Sequence, residues 1–319
     1  MFGGNESSRA CEKMAIIRSS VSGEERILEA DHTIGRLPSS SLMVEQGYVS
    51  KRHAMLRFAG DRWEVRDLGS RNGTYLNGQL LKSGEDVPLY RGFRVAFGKL
   101  EQEWEFVDDS PPPVMVVPMG GGTPIILEGE MLALPSPDDP RVTIYANMAG
   151  AWVLEQPESI SEIANQQTFE VDRCFFRFSC PDRISKTSLA DPLTELEVQH
   201  LHLLFSVSRD EEFVQLRVAC GAHQFDLGSR QHNYLLLTLA RRRQADAAEG
   251  LPETACGWIY IEDLAHDPMM AAPQLNIDVF RIRKQFEAIG VIEPAGVVER
   301  RPRTKQIRLG VSRFSIVTL

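Results

Sequence analysis

Asp67-Leu68-Gly69-Ser70-Arg71-Asn72-Gly73-Thr74-Tyr75-Leu76-Asn77-Gly78 places an Asn-Gly pair on either side of Thr-Tyr-Leu. Asn-Gly is a strong hairpin-turn signal because both residues tolerate positive φ. Asn72-Gly73 is therefore expected at a hairpin turn. Upstream, Gly35-Arg36 follows the strand-like Thr33-Ile34, and Ser50-Lys51-Arg52-His53 follows Gly47-Tyr48-Val49. Each motif puts polar and cationic side chains in a loop or at a strand end.

A dianionic phosphate is held by guanidinium, hydroxyl and amide donors that converge from loops. Arg36, Ser50, Lys51, Arg71 and Asn72 are such groups. They serve one ligand only if the fold brings their loops together.

The three motifs in this order resemble those of a forkhead-associated (FHA) domain, over about residues 12–107. The resemblance implies a β-sandwich whose loop tips bind phosphothreonine peptides, and so a threonine-phosphorylated protein as partner. It implies Arg36 for the phosphate, Ser50 and Lys51 for phosphate oxygens, and Arg71 and Asn72 for the phosphate edge and peptide backbone. His53, in the Ser-x-x-His motif, is implied to buttress its loop. Many members carry threonine where this chain has Arg71, and the added cation is expected to strengthen phosphate attraction and alter peptide selectivity. Gly73, Thr74, Asn77 and Gly78 read as turn formers and packing groups.

The 319 residues are 43% hydrophobic, enough for two or three cores. No run of 18 apolar residues occurs and Met-Phe-Gly-Gly-Asn-Glu lacks signal-peptide character, so no membrane partner and a cytoplasmic location are expected. Cys11, Cys174, Cys180, Cys220 and Cys256 are scattered and never spaced as Cys-x-x-Cys, which argues against a disulfide framework or zinc site. The net charge of -9 is unevenly spread: residues 1–107 are neutral, 108–229 carry -12, and 279–319 carry +6.

Residues 108–123 contain three consecutive prolines and three consecutive glycines, and are expected to be a linker. The triple glycine lacks the Gly-Lys-Ser/Thr of a phosphate-binding loop. Residues 124–195 alternate short apolar runs with turn residues, which predicts a small acidic β-rich unit. Its stretch 151–178 loosely echoes 62–106, as a truncated FHA-like repeat without phosphate-binding residues would. His200 and His202 are expected on one face of a strand, without the further ligands a metal needs. No nucleophile–base pair or nucleotide fingerprint is present, and neither an enzyme nor a cofactor is expected.

Strands are expected over 202–226, then helices over 231–243, over 259–266 and after Pro273. In the third helix Leu275, Val279, Ile282, Phe286 and Ile289 form one apolar stripe, opposite Arg281, Lys284 and Gln285 with Arg283 at the flank. Residues 277–286 resemble the recognition helix, and 305–314 the wing hairpin, of OmpR-type winged-helix domains, over about residues 200–319. The resemblance implies double-stranded DNA as a partner, with Arg281, Arg283 and Lys284 on the helix and Arg300, Arg301, Arg303, Lys305 and Arg308 on the wing. Phe280 departs from it, standing where such domains often place a polar or basic residue. Proteins of this kind often pair on repeated half-sites, so a homodimer is possible.

The expected architecture is multidomain: an FHA β-sandwich, a small β-rich middle unit and an α+β winged helix-turn-helix. The expected function is a phosphothreonine-dependent regulator that docks a phosphorylated protein and binds promoter DNA. The alternative is an adaptor whose winged helix holds protein. The acidic middle is further expected to lie against the basic end and compete with DNA.

Overall fold

The computed structural model describes residues 14–147, 149–181, 196–264 and 272–319. The chain folds into two compact units, Met1–Ile126 with Ala164–Ile184, and Leu127–Ile163 with Ser185–Leu319.

Among the described residues the first unit begins with eleven strands: β1 (Ile16–Ser19), β2 (Glu25–Ile27), β3 (Asp31–Gly35), β4 (Leu42–Met43), β5 (Ala54–Ala59), β6 (Arg62–Asp67), β7 (Thr74–Leu76), β8 (Gln79–Leu80), β9 (Asp86–Leu89), β10 (Arg94–Phe97) and β11 (Glu103–Asp108). They form two sheets, ordered β2-β1-β11-β10-β7-β8 and β4-β3-β5-β6-β9. Alternation builds the sandwich. Ala54, Leu56 and Phe58 on β5 and Trp63 and Val65 on β6 point inward, while Arg57, Arg62 and Glu64 face outward or the margin. Trp63 meets Phe58 and Phe106 edge-on at 5.4 and 5.9 Å, and its indole nitrogen donates to the Ser110 carbonyl at 3.1 Å. Each fully buried side chain of this kind contributes roughly 1.5–3 kcal/mol.

The expected linker is not one. β12 (Met115–Pro118) pairs with β13 (Ile125–Ile126) and with a strand far downstream, and Met115 and Val116 are fully buried. The prolines precede β12 and the glycines follow it, so they bound a strand rather than a hinge. A meander comes next: β14 (Met131–Ser136), β15 (Asp139–Ala146), β16 (Trp152–Gln156) and β17 (Ser159–Glu162). β18 (Thr168–Val171) and β19 (Cys174–Ser179) then return to complete the sheet β13-β12-β19-β18. The stretch read as an FHA-like repeat is thus split, with β16 and β17 in the second unit and β18 and β19 in the first. Apolar spacing could not report which partner each strand takes.

In the second unit β20 (Leu196–Glu197) is followed by β21 (His202–Val207), β22 (Val214–Cys220), β23 (His223–Ser229), α1 (Asn233–Ala248), β24 (Ile259–Tyr260), α2 (Ile261–Leu264), α3 (Ala272–Ala288), β25 (Val291–Ile292), β26 (Val298–Arg301), β27 (Gln306–Leu309) and β28 (Arg313–Thr318). The larger sheets are β23-β22-β21-β28 and β24-β27-β26. α1 runs five residues past the expected end because Gln244-Ala245-Asp246-Ala247-Ala248 favours helix, and it stops before Gly250 at φ 81°. Ile259 and Tyr260, expected in a helix, pair with Ile307 and Gln306 as a strand. The rest of that expected helix, beyond Leu264, lies outside the described residues. His200 ends a short 3₁₀ turn and only His202 is on β21, bonded to the Ser315 hydroxyl at 2.9 Å, so the two histidines do not share a strand.

α3 is buried on two sides. Leu275, Val279, Ile282 and Phe286 enter the main core with α1 and the sheets, and Ile289 just beyond the helix packs against that core. Phe280 packs instead with Met131, Ala133, Tyr145 and Val153 of the meander and with Ala295.

Candidate phosphate-binding loops

Hydrogen bonds bring the loops after β3, before β5 and after β6 together around Ser50. The Arg36 amide donates to the Ser50 carbonyl at 3.1 Å, and the Arg36 Nε to the Val49 carbonyl at 2.6 Å. The Arg71 amide donates to Ser50 Oγ at 3.0 Å, and Asn72 Nδ2 to the Tyr48 carbonyl at 2.8 Å. Ser50 Oγ accepts a bond, so its own proton is available to a ligand. Arg36 keeps its Nη groups for a ligand, and Asn72 keeps its Oδ1 to accept a peptide N–H. Arg36, Lys51, Arg71 and Asn72 are exposed and Ser50 is half-buried. The sequence-predicted phosphate residues therefore lie on three neighbouring loops.

Two buried groups hold these loops. His53 is fully buried; its Nδ1 accepts the Ser50 amide at 3.0 Å, which leaves Nε2–H to donate to the Gly73 carbonyl at 3.1 Å. Burial holds its pKa below the ordinary value, with the Gly73 carbonyl and Asp67 opposing, which favours the neutral imidazole that accepts the Ser50 amide. Asp67 is the second group. Its Oδ1 accepts the amides of Gly69 and Ser70 at 3.0 Å each, and its Oδ2 accepts the hydroxyls of Ser70 at 2.5 Å and Thr74 at 2.8 Å. Burial alone would raise this carboxyl, but the four donors outweigh it and the pKa is lowered. Asp67 received no role in the sequence reading, although an aspartate two residues before a turn glycine is a recognisable Asx-turn signal.

Steric limits fix the approach. A Cβ at Gly35 would overlap the Lys51 carbonyl oxygen, so the strand bearing Arg36 reaches the Ser50 loop only as glycine. Gly73 has φ 78°, and a Cβ there would collide with Leu80.

The residues assigned to DNA are placed differently. Arg283 is buried, with Nη1 on both Glu155 oxygens at 3.1 and 3.0 Å and Nη2 on the Val298 carbonyl at 2.8 Å. Arg300 is also buried, 3.1 Å from Glu155 and 2.9 Å from Asn276 Oδ1. Arg308 pairs with Glu299 at 2.7 Å and lies over the Trp258 ring at 4.6 Å. Lys284 donates to the Glu128 carbonyl at 3.0 Å and pairs with Glu287 at 2.9 Å. These four are engaged by carboxylates or carbonyls, which corrects their assignment as open DNA contacts. Arg281 stays exposed but lies 3.4 Å from Asp138, and exposed Lys305 lies 3.3 Å from Glu158. Arg301 stacks on Trp258 at 3.8 Å, and Arg303 is exposed.

Residues 32–98 match the FHA domain family, and with the sandwich and loops just described they form an FHA domain near the N-terminus. Similar proteins include FhaB of Mycobacterium tuberculosis, an FHA domain-containing protein 34% identical over 100 residues, covering 31% of this chain and 63% of that one. FhaB of Mycolicibacterium smegmatis is 44% identical over 66 residues, covering 21% and 41%, and glycogen accumulation regulator GarA of the same organism is 33% identical over 90 residues, covering 26% and 56%. The chain spans less than two thirds of the length of these relatives. Among solved structures, Mycobacterium tuberculosis EmbR in complex with a low affinity phosphopeptide is similar at 25% identity and TM-score 0.28, over 31% of this chain and 25% of that one.

Proposed function

We propose that this protein is a phosphothreonine-dependent docking protein with no catalytic role, whose FHA loops bind a threonine-phosphorylated segment of another protein or of a second copy. The observation that carries the reading is the meeting of three loops at Ser50, which brings backbone segments bearing a hydroxyl, an amide side chain and exposed cations together. Among the relatives, GarA is by name a regulator, which accords with a docking role. A cytoplasmic location is part of this reading, and no helix among the described residues is long and apolar enough to cross a membrane. A phosphothreonine peptide library is the test. Peptides retained by the wild type, released on dephosphorylation and not retained by Arg36→Ala support the reading, whereas indifference to the phosphate sinks it.

A second reading adds double-stranded DNA as a partner. It is favoured by the element order of the second unit, in which a sheet is followed by three helices and the β26–β27 hairpin, the order of a winged helix. With Lys284, Arg283, Arg300 and Arg308 engaged, the exposed cations among the residues assigned to DNA are Arg281 and the wing-tip residues Arg301, Arg303 and Lys305. Of these, Arg281 and Lys305 lie beside Asp138 and Glu158 in exposed pairs, and Arg301 donates to the Thr254 carbonyl at 3.3 Å. Selection from fragmented genomic DNA at rising salt tests it. Retention of one shared motif, lost in Arg303→Ala with Lys305→Ala, supports the second reading. Binding without a motif, fading steeply with salt, leaves the docking role alone.

A further inference from the structure

The FHA match ends at residue 98, yet a side chain nearly eighty residues beyond it grips the loop that carries Arg36. Arg177 on β19 spreads its guanidinium over two segments of the sandwich. Nε and Nη2 bond the Glu29 carboxylate at 3.0 and 2.7 Å, while Nη1 donates to the Ser39 carbonyl at 3.2 Å and Nη2 also reaches Ser41 Oγ at 3.4 Å. Glu29 is buried and the Arg177 side chain is 12% exposed, so solvent competes little for these bonds.

The gripped loop, residues 36–41, joins Arg36 to β4. Its start is tied to the Ser50 loop through the Arg36 and Leu37 amides, which donate to the Ser50 and Lys51 carbonyls. Its far end is tied to β3, where Ser41 Oγ accepts the Thr33 amide at 3.2 Å, and to Arg177. Arg177 is itself held in place. β19 pairs with β12 and β18, Ser179 Oγ accepts the Ala30 amide at 3.2 Å, and Asn165 Nδ2 donates to Asp31 at 2.8 Å. The fork geometry explains arginine here, since a lysine ammonium cannot meet a carboxylate, a carbonyl and a hydroxyl spread over one plane.

We propose that Arg177 is a positioning residue for phosphopeptide recognition, bracing the Arg36 loop so that little ordering remains when the peptide binds. The inference rests on the docking function proposed above. The recognition unit is then the sandwich together with the sheet β13-β12-β19-β18, rather than the stretch that matches the family. A loop ordered in advance raises affinity by removing the entropy lost on binding.

The test uses the full chain and a phosphothreonine peptide that the wild type binds and Arg36→Ala does not. Affinity of Arg177→Ala and Arg177→Lys is measured by calorimetry well below the unfolding midpoint, with folded fractions from circular dichroism. Amide hydrogen exchange is followed across residues 37–41. The expected result is roughly ten-fold weaker binding per folded molecule for Arg177→Ala, with faster exchange in that loop and an unchanged salt slope because Arg177 does not touch the phosphate. Arg177→Lys, which keeps the charge opposite Glu29 but not the Ser39 contact, is expected in between and serves as the folded variant if alanine unfolds the unit. Unchanged affinity per folded molecule and unchanged exchange, even with a lowered melting temperature, would show a purely structural link and overturn the proposal. If the wild type shows no phosphate-dependent binding, the docking function fails, and exchange across residues 37–41 still decides whether Arg177 is a brace.

Discussion

Glu155 lies between two buried arginines, accepting both bonds from Arg283 Nη1 and standing 3.1 Å from Arg300 Nε. Tyr145 completes its shell, donating its hydroxyl at 2.9 Å. One carboxylate thus compensates two guanidinium groups, and the two kinds of deletion are not equivalent. Burial would push Glu155 up, but Arg283 and Arg300 outweigh it and the pKa is lowered. Glu155→Gln strands two buried cations and is expected to cost about 3–5 kcal/mol, whereas Arg283→Met leaves a balanced Glu155–Arg300 pair and costs less. Denaturant unfolding of both variants checks the order. Loss of DNA retention in Arg283→Met with stability intact would contradict the placement of Arg283 described here.

The Asp67 turn is expected to couple stability to binding. Asp67→Ala removes the acceptor of four donors, two amides and two hydroxyls, and is expected to cost about 2–4 kcal/mol. The displaced turn carries Arg71 and Asn72, so phosphopeptide binding should fall as well. Thermal unfolding and calorimetry on one preparation would show both effects, and a stable variant with lost binding would argue that Asp67 acts only on the loop.

Acid should weaken the first unit before its carboxylates titrate. His32 is buried with its pKa lowered to about 4, chiefly by burial, with Glu29 opposing and the Arg177 and Arg26 charges reinforcing. Its neutral Nδ1 accepts the Glu29 amide at 3.3 Å. The folded pKa lies below the unfolded value, so the unfolded chain binds more protons in the interval. Stability is complete above about pH 6.5 and declines as pH falls toward 4, by at most about 3 kcal/mol. His53 contributes in the same sense. His32→Asn, whose side-chain oxygen can accept the same amide, should flatten that limb of a stability–pH curve. An unchanged slope would remove His32 as its source.

Arg71 offers a test of electrostatics apart from architecture. Its amide, not its side chain, bonds Ser50, and the exposed guanidinium makes no ion pair among the described residues. Arg71→Thr should leave melting unchanged and weaken a phosphothreonine peptide about three- to ten-fold at low salt, less at high salt. Equal weakening at all salt concentrations would point to a lost direct bond instead.

The FHA loops were legible because Asn72-Gly73 is a local turn signal and because Gly35-Arg36, the Ser-x-x-His of Ser50 and His53, and Asn72-Gly73 in that order resemble the FHA motifs, whereas the close approach that needs Gly35 emerged only from the fold. The bracing sheet was not legible. Arg177 and Glu29 are 148 residues apart, and nothing in the spacing of either announces the other. The apolar stripe of α3 correctly marked its core face, and Phe280 was the signal that a second face is covered too. Its partners Met131, Tyr145 and Val153 lie on strands whose sequences read only as β-rich. The basic character of residues 279–319 was real, but net charge does not reveal that Glu155 and Glu299 hold three of those arginines.

The first unit closes its sheet with β19, after the chain has left to build the β14–β17 meander and come back. At about 5–20 residues per second, several seconds of translation separate the emergence of the FHA sandwich from that of the strand pairing with Met115–Pro118. During that interval β12 offers an open edge to any passing strand. A chain halted after residue 118 and before residue 174 would carry the full family signature and a vulnerable edge, so expression boundaries drawn between β12 and β19 are expected to select for aggregation rather than for the domain.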